Sequence, residues 1–383
     1  MPETMSATDL ARLVRRVFQP TSADTGLAVI VDLPDVRLPD NDDWHTRRTM
    51  AAAWAAELES VASDLGLQRV TLAWYPNVGG NNADLPTLCT PATPGVRLDH
   101  ADDLAGRATL SFADLFAEHS LIMAPTELSA TAPLKVAARE HAMRAATMPG
   151  FLPSMIPALR IDYGEVNRRV DLFKELVDAA TGADIVFSVA ARECRLHLDL
   201  RHRTGHASGG LFPTNGVAGN LPSGETYIVP YEGEIAGDPS RTAGELPVQL
   251  DGEVVIYRIA ENKAVAVLTN GPMSDQEAAA IAAEPAYANL SELGLGVLGD
   301  FGLKPTGTIL LDEKLGLHIA FGRSDHFGGM VGPGDFSSAD AVVHIDRVYI
   351  PEVQPDVTVV SLTFAMPDGP REAMRDGAWT GVF

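Results

Sequence analysis

Cysteine is almost missing from this sequence: Cys89 and Cys194 are the only two in 383 residues. That scarcity excludes a disulfide scaffold and a metal centre built on thiolates. Positive charge is also in short supply, with 29 Lys and Arg against 51 Asp and Glu, for a net charge of −22. A field of that sign repels nucleic acid and anionic membrane, and it suits metal cations and uncharged or cationic small substrates. It serves equally well as a solubilising surface. No apolar run approaches the roughly 18 to 20 residues that span a bilayer. The first residues, MPETMSATDLARLV, are acidic and polar before they turn helical, unlike a secretory leader. The expectation is a cytoplasmic protein. No GxGxxG or phosphate-loop pattern stands where a strand enters a helix, and no GxSxG elbow is found. Nucleotide binding and serine-nucleophile chemistry therefore have no support.

What is present is ordinary globular material, 46% hydrophobic and 21% charged, long enough for two domains. The first half alternates strand and helix signals. Residues 26–33 (GLAVIVDL), 69–75 (RVTLAWY) and, more weakly, 120–124 (SLIMA) are short apolar runs. Between the first two, Met50, Trp54, Leu58, Val61 and Leu65 form one helical stripe that Gly66 stops. Further helices are expected near 131–143 and over 163–181, the latter with Val166, Val170, Phe173 and Val177 on one side. Beyond residue 182 the texture changes to short strands broken by Gly, Pro, Asn and Asp, among them DIVFSVAA, ETYIVP, EVVIYRIA, KAVAVLT, TGTILLD, LHIAFG, AVVHIDRVYI and TVVSLTF. Ser274 with Glu277 reads as a capping box ahead of one helix over 276–283. The expected architecture is an α/β N-terminal domain with a parallel sheet (1–182) plus a C-terminal β-rich α+β metal-binding domain (183–383).

The chemistry gathers in the second half. His344 and Asp346 in VVHIDRV are two residues apart in a strand and so share a face. His318 stands in a separate strand, GLHIAF. Imidazole beside carboxylate suits zinc, manganese, cobalt or iron. Glu225 follows a tight Asn-Leu-Pro-Ser-Gly turn, and Glu292 is flanked by leucines in ANLSELGLGV. A carboxylate in an apolar stretch is costly to bury without a partner or a cation. Taken singly, Glu225 also fits a surface strand end and Glu292 a helix C-terminus. Together, three carboxylates and two histidines point to oxygen- and nitrogen-ligated metal.

GNLPSGETYIVP, NLSELGLGV, LDEKLGLHIAFG and VVHID, in this order and at these intervals, resemble the M29 family of metallo-aminopeptidases, of the aminopeptidase T and aminopeptidase S type. The resemblance covers roughly residues 185–350 and is diffuse before that. It implies an N-terminal α/β domain, a β-rich metal domain, a homodimer, and a peptide or aminoacyl substrate. Carried over by position, it implies two divalent ions (Zn, Co or Mn) on Glu225, Glu292, His318, His344 and Asp346. Glu292 and Asp346 would bridge, Glu225 would complete one ion, and His318 with His344 the other.

One position departs from the family. A tyrosine is expected seven residues after His318, and this chain has Asp325 there, followed by His326. These two are the candidate catalytic pair, with His326 as oxyanion donor or proton shuttle; an exposed polar hairpin tip is the alternative. The glycines Gly328, Gly329, Gly332 and Gly334 fit a flexible loop over a site. Another cluster, His197, Asp199, His202 and His206, either mimics a second metal site, lines a pocket, or is a solvated strand face followed by a basic loop. A competing reading takes His318, His344 and Asp346 alone as the ligands of a mononuclear iron ring-cleaving dioxygenase. A further alternative is a specialised biosynthetic member with altered chemistry.

Overall fold

The computed structural model describes residues 3–190 and 192–383. The described residues divide into two compact units. One runs up to Gly164 and adds Ser208–Ser223; the other comprises Glu165–Ala207 and Gly224–Phe383. Among the described residues no helix is long and apolar enough to cross a membrane.

The first unit is built on a seven-stranded sheet in the order 218–220, 144–147, 121–124, 26–33, 69–76, 88–92, 110–111. The first five of these strands run parallel and the last two are antiparallel additions. Strand Gly26–Leu33 is buried along its whole length, as a near-continuous apolar run must be when helices cover both faces of a parallel sheet. Helices Asp42–Ser60 and Thr131–His141 supply crossovers. Trp54 and Leu58 of the expected stripe are buried in the first of them. That helix ends at Ser60, so Val61 and Leu65 lie in the following turn, where Gly66 adopts φ +74°. Strand Ala218–Asn220 joins this sheet beside Arg144–Thr147 from far along the chain.

The second unit is β-rich. An eight-stranded antiparallel sheet runs 263–267, 253–260, 243–250, 192–199, 182–189, 357–366, 369–375, 378–379. A five-stranded sheet runs 344–348, 317–322, 290–296, 225–228, 206–208. The back of the smaller sheet packs against the larger through Phe321 and Tyr257, whose ring centroids lie 5.2 Å apart.

Two local expectations are corrected. TGTILLD is not a strand: Ile309–Asp312 is a helical turn, because the Asp312 carboxylate accepts from the Thr306 and Gly307 amides (2.8 and 2.9 Å) and curls the chain. Ser274 caps nothing, since the helix Pro272–Ala283 starts before it. The free amides of that helix end donate instead to the Glu253 carboxylate, from Met273 at 3.0 Å and Ser274 at 2.9 Å, an anion at the positive end of the helix.

Candidate metal centre

Four strands of the smaller sheet deliver the five ligand candidates, and their register puts all five on one face. Glu225 opposes Gly296, Glu292 opposes Ala320, and Ala320 opposes Asp346. Gly294 opposes His318, and Gly322 opposes His344. Each ligand candidate thus faces a glycine or alanine across the ladder, which leaves room for a cluster. At Gly294 the requirement is strict: a Cβ there would fall inside the His318 imidazole. A register shift between Leu290 and Glu292 makes Ser291 the extra residue of a bulge, a device that re-aims a side chain.

The five side chains meet. His318 Nε2 lies 3.1 Å from Glu292 Oε1 and 3.7 Å from Glu225 Oε2. His344 Nε2 lies 3.3 Å from Glu292 Oε2 and 3.5 Å from Asp346 Oδ1. Among the described residues two groups have the geometry to hold a metal ion, Glu225–Glu292–His318 and Glu292–His344–Asp346. Glu292 belongs to both. This grouping differs from the one the resemblance implied, because His318 sits with Glu225, His344 sits with Asp346, and Asp346 joins only one group. The reason is the ladder: His318 leans over Gly294 toward the 225 strand, while His344 and Asp346 share the edge strand.

The donor chemistry fits divalent ions. Nδ1 of His344 donates to the Arg323 carbonyl at 2.9 Å, which fixes the ring and leaves Nε2 toward the carboxylates. Glu225 Oε2 is buried without a hydrogen-bond partner, and a buried carboxylate oxygen left so is explained by a cation. Burial would lower both histidines, yet Glu292, Asp346 and Glu225 outweigh it and push His318 up to about 9, with His344 well above its usual range. Burial would raise Glu292, but the His318 and His344 hydrogen bonds hold it low. Glu225 is raised by burial against the pull of Lys314 and His318. The cluster is a sink for positive charge.

Sequence reasoning missed Lys314, which is fully buried. Its Nζ donates to Glu313 and lies 3.4 Å from Glu225 Oε1. Burial pushes Glu313 up to about 8, with the Glu225 and Asp346 charges adding to it and Lys314 opposing. The available signal was LDEKL, a charged pair between leucines. Tyr227, two residues beyond Glu225 on the same face, was also missed; it stacks on His206 at 5.1 Å and meets Phe327 edge-on at 4.8 Å.

His326 stands beside the cluster, its ring 5.5 Å from that of His344. Burial, then the His344 and Arg323 charges, push it down to about 4, so it is neutral near pH 7. Asp325 is engaged by Arg323 Nε at 2.6 Å and lies 3.5 Å from His326 Nδ1. Hydrogen bonds pin the segment bearing them: Ser324 Oγ donates to Glu232 at 2.6 Å, Ser324 N to the Val331 carbonyl at 2.9 Å, and Gly329 N to the Ser324 carbonyl at 3.0 Å. The 192–206 cluster disperses. His197 pairs with Asp184, Asp199 with Arg201, and His202 with Asp238. Only His206 reaches the surroundings of the site, through the Phe327 carbonyl at 2.9 Å.

No protein-family model matches the chain, and no curated protein matches it in sequence. The solved structures that match include two that do so along almost the whole length. One is the 2,5-dihydroxypyridine dioxygenase from Pseudomonas putida, at TM-score 0.61 and 13% identity, covering 98% of each chain. The other is wild-type AmpT from Thermus thermophilus, at TM-score 0.54 and 15% identity, covering 98% of this chain and 99% of that one. The fold is shared with both. At these identities the likeness speaks for fold alone, and the chemistry is argued from the residues.

Proposed function

We propose that this protein is a two-metal hydrolase of the aminopeptidase kind, releasing N-terminal residues from peptides or aminoacyl compounds. The observation that carries the reading is the sharing of Glu292 between two groups, each completed by one histidine and one further carboxylate. Glu225, Glu292 and His318 would hold one divalent ion and Glu292, His344 and Asp346 the other, and such ions would supply an activated water and charge to stabilise the oxyanion of an attacked carbonyl.

The chain's own groups do the rest. Glu292 spans the two positions with one oxygen toward His318 and the other toward His344. Arg323's carbonyl holds His344 in the tautomer that presents Nε2. Asp325 faces Nδ1 of the neutral His326, which leaves Nε2 to carry a proton between attacking water and leaving amine. The negative field of the chain favours a substrate with a free amino terminus.

The dioxygenase reading needs two histidines and one carboxylate on one ion. Here His318 and His344 fall in different groups, and Glu225 and Glu292 are both retained. The test is hydrolysis of aminoacyl amides by protein reloaded with Zn, Co or Mn, beside oxygen uptake with aromatic diols under ferrous iron. Hydrolysis that disappears in Glu292→Ala supports the proposal. Oxygen uptake with no hydrolysis in any metal form refutes it.

A further inference from the structure

The two groups that share Glu292 differ in one respect that five-ligand bookkeeping hides. The Glu292–His344–Asp346 group lies at the edge strand, and among the described residues no lysine or arginine comes within ion-pair distance of its carboxylates. The Glu225–Glu292–His318 group is deeper, with residues at most 6% exposed, and a fully buried ammonium lies beside it. Lys314 Nζ stands 3.4 Å from Glu225 Oε1. That oxygen faces the lysine, so Oε2, the atom without a hydrogen-bond partner, is the one left for an incoming ion. The lysine itself is locked by Glu313 and has no solvent to retreat into.

A fixed positive charge beside a ligand opposes a second positive charge there, and in a buried, weakly screened setting the opposition is worth more than about tenfold in affinity. We propose that Lys314 makes the two metal positions unequal: Glu292–His344–Asp346 loads first and tightly, and Glu225–Glu292–His318 loads second and weakly. The inference rests on the dinuclear reading above and adds an order and a cause to it. Lys314 is a positioning residue. It holds Glu225 for the second ion while limiting that ion's affinity, so the chain is switched between a one-ion and a two-ion form by metal supply.

The test is a cobalt(II) titration of metal-free full-length protein, read by calorimetry and by visible absorption. The wild type is expected to show two steps whose constants differ by tenfold or more. Asp346→Asn removes the tight step and Glu225→Gln removes the weak one; the opposite pattern overturns the proposal without any lysine variant. Glu313→Gln combined with Lys314→Met, which takes out the buried pair together, tightens the weak step by tenfold or more and changes the tight step by clearly less, since the Lys314 charge reaches Asp346 from beyond ion-pair distance. Lys314→Arg keeps the charge and keeps the gap. Two ions of equal affinity in the wild type, or a gap unchanged in the folded double variant, overturn the role of Lys314 and leave the dinuclear reading standing. A single ion at any cobalt concentration overturns both.

Discussion

Both units of the molecule bury carboxylates in fully covered strands, and they treat them in opposite ways. In strand Gly26–Leu33, Asp32 is 1% exposed. It accepts from the Glu127 and Leu128 amides at 2.8 and 2.9 Å and from Trp44 Nε1 at 3.2 Å. Those donors are fixed and cannot be titrated away, although burial still pushes Asp32 up to about 6. In strand Leu290–Gly296, Glu292 is 4% exposed, and its partners are two imidazoles. Nearby, Glu225 keeps one oxygen with no hydrogen-bond partner. A buried acid wrapped in backbone donors ties loops together. Buried acids that face each other across histidines have the geometry to take up a cation. The donor type, rather than burial, separates a structural carboxylate from a candidate metal-binding one.

That comparison is sharpened first by substitution at its functional pole. Glu292→Ala should lower kcat/KM by on the order of a thousandfold or more, with fewer metal ions per chain by elemental analysis and an unfolding midpoint no lower than that of the metal-free wild type. Next comes a buried ion pair of the first unit, Asp24 with Arg144 at 2.8 Å. Arg144→Met leaves a buried charge unpaired and should cost about 3 kcal/mol in urea denaturation, with metal content unchanged. Burial would raise Asp24, but hydrogen bonds from Arg144, Ser120 and Thr21 hold its carboxyl well below the usual range. Its folded pKa is therefore below its unfolded one. The stability it contributes is complete above the unfolded value of about 4 and drains away as pH falls below it; a pH series of melting temperatures on wild type and Arg144→Met should show the difference between them shrinking with acid.

Asp32→Ala strands three donors and should cost about 2 to 3 kcal/mol, while kcat per folded molecule stays at the wild-type value. A large loss of turnover in folded Asp32→Ala would break the comparison, because Asp32 would then belong to the chemistry. The smallest effect is expected at His326. His326→Ala should reduce kcat roughly 10- to 100-fold, at the lower end of what a positioned proton carrier contributes, with both metal-binding steps intact.

In each of the three sheets some strands were legible because their signals are local: GLAVIVDL, EVVIYRIA and LHIAFG each carry enough apolar periodicity to settle their own conformation. Of the five side chains that could hold a metal, His344 and Asp346 declared a shared face through their spacing, and Glu225, Glu292 and His318 were named as ligand candidates through the family resemblance. What stayed hidden depends on long-range partners. TGTILLD has strand composition, but Asp312 bonding back to Thr306 and Gly307 bends it. The helix at 272–283 is capped by Glu253, about twenty residues earlier, so no local capping box could reveal its start. Strand Ala218–Asn220 is too short to carry a pattern, and its place beside Arg144–Thr147 is a matter of topology. Lys314 reads as a surface residue until Glu313 and Glu225 are found around it. The pairing of His318 with Glu225 rather than with His344 depends on which side of Gly294 the ring lies, which no spacing in the sequence encodes.

The most direct measurement is the metal content and position in crystals of the reloaded protein, read by anomalous scattering at the edge of the metal supplied. The account predicts two ions per chain, with Glu292 between them, Glu225 and His318 on one and His344 and Asp346 on the other. A single ion held jointly by His318, His344 and Asp346 at full loading, with Glu225 and Glu292 uncoordinated, would contradict it.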